Sequence, residues 1–388
     1  MRVTHIITRL VVGGAQENTV ATVLGLRQKP DVEVDLISGP TYGPEGSLEP
    51  AVAGYPGLLS IVPPLVRPVS PFKDLLALAQ LTRLLKTTRP EVVHTHSGKA
   101  GILGRLAAWR AGTPVILHHV HGPSFGPFQG PMANGCFRAA ERFAARATTH
   151  FVCSAHAMTK LYLAAGIGRP EMFTRVFSGF QVEPFVKASN DPAVRAQLGL
   201  AQDDFVIGKI ARLAPLKGHA DLLMALRGLL PRYPKARVLL VGDGAARASL
   251  EEQAHAYGLR DKVVFAGLVP PNDVPRLVGI MDCLAHLSYR EALSRALPQA
   301  LAAAKPVVAY DFDGADEICL EGQTGFLVRT GDVPTVTQRL AQLANDPSLR
   351  QRFGLQGQAM VREQFPVERM IEQLYQLYTN LLGRDLST

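Results

Sequence analysis

Residues 204–244, DFVIGKIARLAPLKGHADLLMALRGLLPRYPKARVLLVGDG, decide the fold. An apolar, β-branched run (204–212) leads into a loop with proline and glycine, a helix-like stretch follows over 219–232, and a second apolar run closes the segment at 236–244. Such runs fit strands buried on both faces, and a strand–helix–strand order makes them parallel. The same alternation extends both ways. Before it come VTHIIT (3–8), VEVDLIS (32–38), EVVHTHS (91–97), PVILHHV (114–120) and HFVCSA (150–155). After it come KVVFAG (262–267), MDCLAHLS (281–288), KPVVAYD (305–311) and GFLV (325–328). Helix-like segments at 73–88, 99–112, 246–258 and 292–304 lie between them. The expected class is α/β, with doubly wound parallel sheets.

At 388 residues the chain is long for one domain. A polar, turn-rich passage at 180–203 divides it into 1–185 and 200–365, each long enough for its own Rossmann-like sheet. Residues 366–388 begin with an amphipathic helix carrying Met370, Ile371, Leu374, Leu377, Tyr378 and Leu381 on one face. Two such halves place a ligand at the carboxyl ends of their strands.

Hydrophobic residues at 47% and charged residues at 19% exclude a disordered chain. No run of 18 uncharged apolar residues occurs, and MRVTHIITRL is too polar for a signal peptide, so neither a spanning helix nor export is expected. Cys136, Cys153, Cys283 and Cys319 form no CxxC pair, which fits a reducing cytoplasm rather than a disulfide scaffold. The net charge of +8 is uneven: residues 1–194 carry 19 Lys and Arg against 12 Asp and Glu, and residues 195–388 carry 22 against 21. An anionic partner therefore docks on the first half, if on either.

Several loops carry chemistry. Gly13-Gly14 lies at a strand–helix junction, where backbone amides approach an anion, yet it is not G-x-G-x-x-G. Gly242-Asp243-Gly244 also lacks the third glycine. Arg212 and Lys217 stand five residues apart ahead of a helix, a pair suited to clamping a diphosphate or simply to a solvated loop. His94, His96, His118, His119 and His121 cluster at strand ends. Metal ligation needs further ligands on later strands, so polar residues lining a cleft are the expectation. Asp311-Phe312-Asp313 spells D-x-D, but its place late in the second half favours an acidic loop. Glu291 lies in the loop entering a helix, and Gln299, eight positions on, is expected near the same helix face, where the two hold hydroxyls of one polyol ligand.

Taken in order, Gly13-Gly14, HTHSGKAGILGRLAA, HHVHG, ARLAPLKG, VGDG, SYREALSRALPQALAAAKPVVAYDFDGADEI and GQTGFLV resemble a family 4 retaining glycosyltransferase of the GT-B fold over nearly the full length. The resemblance implies an N-terminal acceptor domain, a C-terminal nucleotide-sugar domain and a last helix packed back on the first. It implies that Gly14 gives an amide to the donor diphosphate or the acceptor, with Gly13 beside it. Arg212 and Lys217 neutralise the diphosphate, Glu291 holds the sugar hydroxyls, His121 lies near the sugar's C6 side, and Glu317 and Gly242 complete the donor site. The motif is E-x7-Q, with Gln299 where the second glutamate usually holds the ribose; an amide still accepts and donates to a diol. Ala292 replaces a frequent glycine.

The expected reaction moves a hexose-type sugar from a nucleoside diphosphate to an acceptor hydroxyl with retention, in surface polysaccharide, lipopolysaccharide or glycolipid synthesis. No cofactor or metal is expected, because the two cations neutralise the leaving diphosphate, and no nucleic acid. A nucleotide-sugar epimerase of the same fold and a non-catalytic nucleotide-sugar-binding protein are the alternatives. Finally, Phe125, Phe128 and Met132 form an apolar loop (123–132) before a helix on which Arg138, Arg142 and Arg146 recur every four residues. That arrangement suits either a helix docked on its own sheet or a peripheral contact with an anionic membrane.

Overall fold

The computed structural model describes residues 1–43, 46–126 and 128–384. Contacts divide the chain into two compact units, Met1–Phe180 with Val367–Thr388, and Gln181–Pro366. The turn-rich passage read as a linker folds with the second unit: the short helix Pro192–Gln197 is capped by Asp191, and buried Arg195 bonds the carbonyls of Ala201, Asp204 and Ile280.

The first unit is built on β1 (Arg2–Ile7), β2 (Glu33–Ser38), β3 (Leu59–Ile61), β4 (Val92–His96), β5 (Val115–Val120), β6 (His150–Cys153) and β7 (Phe173–Arg175). They form one parallel sheet in the order β3-β2-β1-β4-β5-β6-β7. Two edge strands, β3 and β7, escaped the reading because each has only three residues. Helices Pro71–Thr88 and Gly98–Ala111 cover one face through Ala77, Leu81, Leu85, Ala100 and Ala107. Helices Gly14–Leu26 and Val367–Leu381 cover the other. The latter buries Met370, Ile371, Leu374 and Tyr378 in the core that holds Val3, Val23 and Leu117, at about 1.5–3 kcal/mol for each large apolar side chain. Lys29–Glu372 at 2.6 Å pins its outer side.

A buried ion pair fixes the helix Pro131–Ala145 to this unit. Arg105 Nη2 and Glu141 Oε2 lie 2.6 Å apart with both side chains 0% exposed. Their remaining atoms are satisfied too: Arg105 Nε donates to the Gly101 carbonyl at 2.7 Å, and Ser124 Oγ donates to Glu141 Oε1 at 2.9 Å. A buried pair needs such partners to offset desolvation.

The second unit contains β8 (Phe205–Ile210), β9 (Ala236–Val241), β10 (Val263–Gly267), β11 (Cys283–His286), β12 (Val307–Asp311) and β13 (Gly325–Arg329). Its parallel order is β10-β9-β8-β11-β12-β13. In each sheet the winding reverses once, between β1 and β4 and between β8 and β11. The loops after those strands open a crevice at the carboxyl edge. No helix among the described residues is long and apolar enough to cross a membrane.

Candidate active site

At the reversal point of the second sheet, the loop after β8 meets the loop after β11. Gly218, at φ +66°, makes the approach possible, since a Cβ there would lie 1.7 Å from the Leu287 carbonyl oxygen. The Tyr289 amide bonds the Leu216 carbonyl at 2.9 Å, and Ser288 Oγ donates to the Arg290 carbonyl at 3.0 Å. These contacts bring together two residues that the sequence offered separately. The Lys217 ammonium is ion-paired with the Glu291 carboxylate and also donates to the Arg290 carbonyl at 3.3 Å. Arg212 stands exposed at the start of the same loop.

Glu291 lies in a loop, as expected. The helix read over 292–304 spans only Ala296–Ala302, so Glu291 and Gln299 do not share a helix face. Residues 291–295 instead form an irregular loop held from outside, where Asp313 Oδ2 accepts from the Glu291 amide at 3.0 Å. Asp313 adopts φ +52°. Burial pushes its carboxyl up to about 6, with the Glu291 charge adding to the shift and the amide bond opposing it. The D-x-D thus contributes a brace for the loop, a role that sequence spacing did not reveal. Gln299 is half-buried, and its side chain makes no hydrogen bond among the described residues. Glu317 closes the turn Ala315–Glu317. The Gly242 amide is already bonded to the Gly267 carbonyl at 2.9 Å. At φ +130° a Cβ on Gly242 would lie 2.3 Å from the Ala211 carbonyl oxygen, so the glycine is needed to seat the Arg212 loop.

Beneath the ion pair lies a polar floor that the sequence reading missed. Asp221 accepts from Tyr289 at 2.6 Å and from Tyr310 at 2.5 Å. Lys209 is buried, its ammonium has no hydrogen-bond partner, and burial, helped by the Lys217 charge, pushes it down to about 7. His286 Nε2 is also unpartnered and faces a small recess bounded by Glu291, Ser294, Leu297 and Phe312. Lys209 was legible only as a lone charge inside an apolar strand run.

In the first unit, Gly14 begins the helix Gly14–Leu26, and extended Gly13 (φ 170°) precedes it with no side-chain cap. The first-turn amides are thus the anion-seeking end of a helix that starts beyond β1. The histidines do not line an open surface. His94, His96, His118 and His119 are all at most 2% exposed. His5 on β1 joins them, opposite His94 in register, and only His121 is half-buried. His5, His94, His96, His119 and His121 stack on one sheet face, with His119 and His121 3.8 Å apart. Tyr378 meets His94 Nδ1 at 2.5 Å. His118 faces the other way and bonds Thr95.

Burial holds the cluster neutral: it pushes His5 and His121 down to about 3, and His94, His96 and His119 well below the ordinary imidazole value. The unfolded chain therefore binds more protons than the native one below about pH 6.5, and stability falls with acid. Each such histidine contributes a slope of roughly 1.4 kcal/mol per pH unit once its unfolded form protonates. Urea midpoints are expected to drop steeply from pH 7.5 to 5.5, and His5→Phe should flatten that dependence.

The loop before the helix Pro131–Ala145 departs from the expectation. Phe125 is 3% exposed and packs on Tyr162 at 5.3 Å, so it cannot enter a membrane. Phe128 is half-buried, and Pro127 lies outside the described residues. The exposed apolar side chains are Met132 (82%) and Phe143 (53%). Arg138, Arg142 and Arg146 are exposed, though Arg142 Nε already bonds the Ala165 carbonyl at 2.6 Å.

Two doubly wound parallel sheets with loops of this kind define the GT-B class. HepE of Anabaena, solved with UDP-glucose, superposes with a TM-score of 0.82 at 23% identity, over 98% of this chain and 100% of that one. Residues 190–360 match the glycosyl transferases group 1 family, and residues 13–175 match the glycosyl transferase 4-like domain. The chain belongs to the group 1 glycosyltransferases. It is 28% identical to the UDP-Gal:alpha-D-GlcNAc-diphosphoundecaprenol alpha-1,3-galactosyltransferase of Escherichia coli, over 74% of this chain and 75% of that one. It is 23% identical to the capsular polysaccharide biosynthesis glycosyltransferase CapM of Staphylococcus aureus, over 84% and 87%.

Proposed function

We propose that the protein is a retaining hexosyltransferase that moves sugar from a nucleoside diphosphate donor to an acceptor hydroxyl during surface polysaccharide or glycolipid synthesis. The observation that carries this reading is the Lys217–Glu291 pair at the reversal point of the second sheet. A donor entering there supplies Lys217 with a diphosphate and Glu291 with sugar hydroxyls, so the ammonium exchanges one anion for another and the carboxylate exchanges a cation for neutral hydroxyl donors. Arg212 adds a second cation for the departing diphosphate, the place where negative charge grows. Gly14 offers its first-turn amide to an anion. No carboxylate is assigned as a covalent nucleophile. The acceptor oxygen bonds the anomeric carbon on the face the diphosphate leaves, and the acceptor proton passes to the departing phosphate oxygen. Metal is not needed for that balance, so EDTA is expected to leave the rate unchanged.

The names of the relatives favour a UDP-hexose donor and a polyprenyl-diphosphate-linked acceptor. The test is a panel of nucleotide sugars with purified protein and lipid-linked acceptor, reading free nucleoside diphosphate and the anomeric configuration of the product. Diphosphate release that requires acceptor, with retention, supports the reading. Epimerised donor without acceptor, or donor binding without any turnover, overturns it.

Gln299 is assigned to the ribose diol. Gln299→Glu should keep or tighten donor binding in calorimetry, since a carboxylate accepts hydroxyl hydrogens more strongly than an amide oxygen; abolished binding would place the side chain in a site that excludes charge. A lipid-linked acceptor also gives a reason for peripheral attachment at the cytoplasmic membrane face through Arg138, Arg142, Arg146, Met132 and Phe143. Co-sedimentation with anionic vesicles should weaken with salt and in the triple Arg→Gln variant, each arginine contributing about 1 kcal/mol near such a surface. Equal binding by both proteins would count against it.

A further inference from the structure

Three imidazoles of the first unit form a continuous chain. His5 Nδ1 lies 2.9 Å from His96 Nε2, and His96 Nδ1 lies 2.9 Å from His121 Nε2. Successive rings are tilted by only 19° and 22°, so an N–H of one can lie near the plane of the next, toward its lone pair. Each link needs one proton, and a neutral imidazole carries one. The chain therefore has two polarities. With protons pointing inward, His5 Nε2 must be an N–H, yet that atom is buried and has no acceptor. With protons pointing outward, His5 Nε2 keeps a bare lone pair, and the surplus N–H appears on His121 Nδ1. That atom has no partner among the described residues and belongs to the half-buried end of the chain, where an outside oxygen can accept. An orphaned buried N–H is the rarer and costlier of the two outcomes.

We infer that His5 and His96 lock His121 in its Nδ1–H tautomer, so that it presents a hydrogen-bond donor to a sugar or acceptor oxygen and cannot act as a proton-abstracting base. Its only lone pair, on Nε2, is occupied by His96. His5 and His96 are positioning residues and touch no ligand. The second row supports the same pattern: buried His119 Nδ1 has no partner, while His119 Nε2 faces Ser154 Oγ at 3.4 Å, so a bare Nδ1 again leaves the proton where an acceptor exists.

The test is nitrogen NMR of the full chain with labelled histidine at neutral pH. The expected result is protonated Nδ1 and unprotonated Nε2 on His5, His96 and His121, with scalar coupling across both links. His5→Gln, whose amide oxygen can accept from His96 Nε2, should then give a mixture of tautomers at His121, whereas His5→Phe leaves that buried nitrogen without an acceptor and should keep Nδ1 of His121 protonated. Protonated Nε2 on His121, in the wild type or in His5→Phe, overturns the inference. Zinc ion alone is a second arm, because the sets His5–His94–His96 and His96–His119–His121 each hold ring nitrogens within 4.8 Å of one another. Stoichiometric uptake that is lost in His96→Gln would replace the hydrogen-bonded chain with a metal centre; uptake no greater than in that variant supports the chain. The activity arm rests on the sugar-transfer reading above. His121→Asp, which offers acceptors only, should lower kcat/KM about a hundredfold, and His121→Asn, whose amide N–H stands near the Nδ1 position, should recover about tenfold of that. Equal losses with the tautomer intact would overturn the donor role alone.

Discussion

Lys217→Ala is expected to lower kcat/KM by roughly two to three orders of magnitude, the scale of removing one donor that acts on charge developing in the transition state, or about 2.7–4 kcal/mol. The structure explains why such a loss would be catalytic rather than structural. The Lys217 and Glu291 side chains are 19% and 33% exposed, and a pair that open to water adds little to stability. The loops are instead joined by backbone contacts and by the close pass of Gly218 on Leu287, which alanine at 217 leaves in place. Urea unfolding of the variant should match wild type while single-turnover rates collapse. A loss below tenfold would mean that the loop is ordinary surface.

The largest loss of stability is expected at Arg105 and Glu141. Glu141→Ala strands a guanidinium in a fully buried site, and breaking such a pair from one side costs about 3–5 kcal/mol. The variant also removes the acceptor for Ser124 Oγ, so the 123–130 loop should loosen together with the helix Pro131–Ala145. The double variant Arg105→Met with Glu141→Leu should recover much of the loss, because it removes both desolvated charges. Denaturation followed by a probe in the first unit checks this; a double variant no better than the single one would show that the hydrogen bonds, and not the stranded charge, dominate.

The α/β class was legible because buried parallel strands announce themselves as continuous apolar runs, as in residues 236–241 and 305–311. Strands β3 and β7 were not, since three-residue edges paired on one side need no such run. Residues 292–295 were misread as helix for a specific reason. Residues 292–304 are rich in alanine and leucine, strong helix formers, but Asp313 holds the Glu291 amide and Ala292 accepts from the Gly314 amide at 3.1 Å, so tertiary contacts override propensity until Ala296. Phe125 was offered as part of an apolar loop suited to a membrane contact, whereas Tyr162, thirty-seven residues on, supplies a ring to bury it. His5 passed unnoticed inside VTHIIT because its meaning depends on strand register, which pairs it with His94.

The chain leaves the first unit after Phe180 and rejoins it at Val367, whose amide bonds the Phe180 carbonyl at 3.2 Å. The second unit is thus an insertion whose two ends meet. Vectorial synthesis delivers Gln181–Pro366 complete before the helix that covers the β1 and β4 face exists. Until that helix emerges, the partially made first unit exposes the apolar wall that Met370, Ile371, Leu374 and Tyr378 later occlude. On the ribosome the first unit therefore cannot complete its core until the second has been made, and the wall left open is the kind of surface through which partly folded chains aggregate.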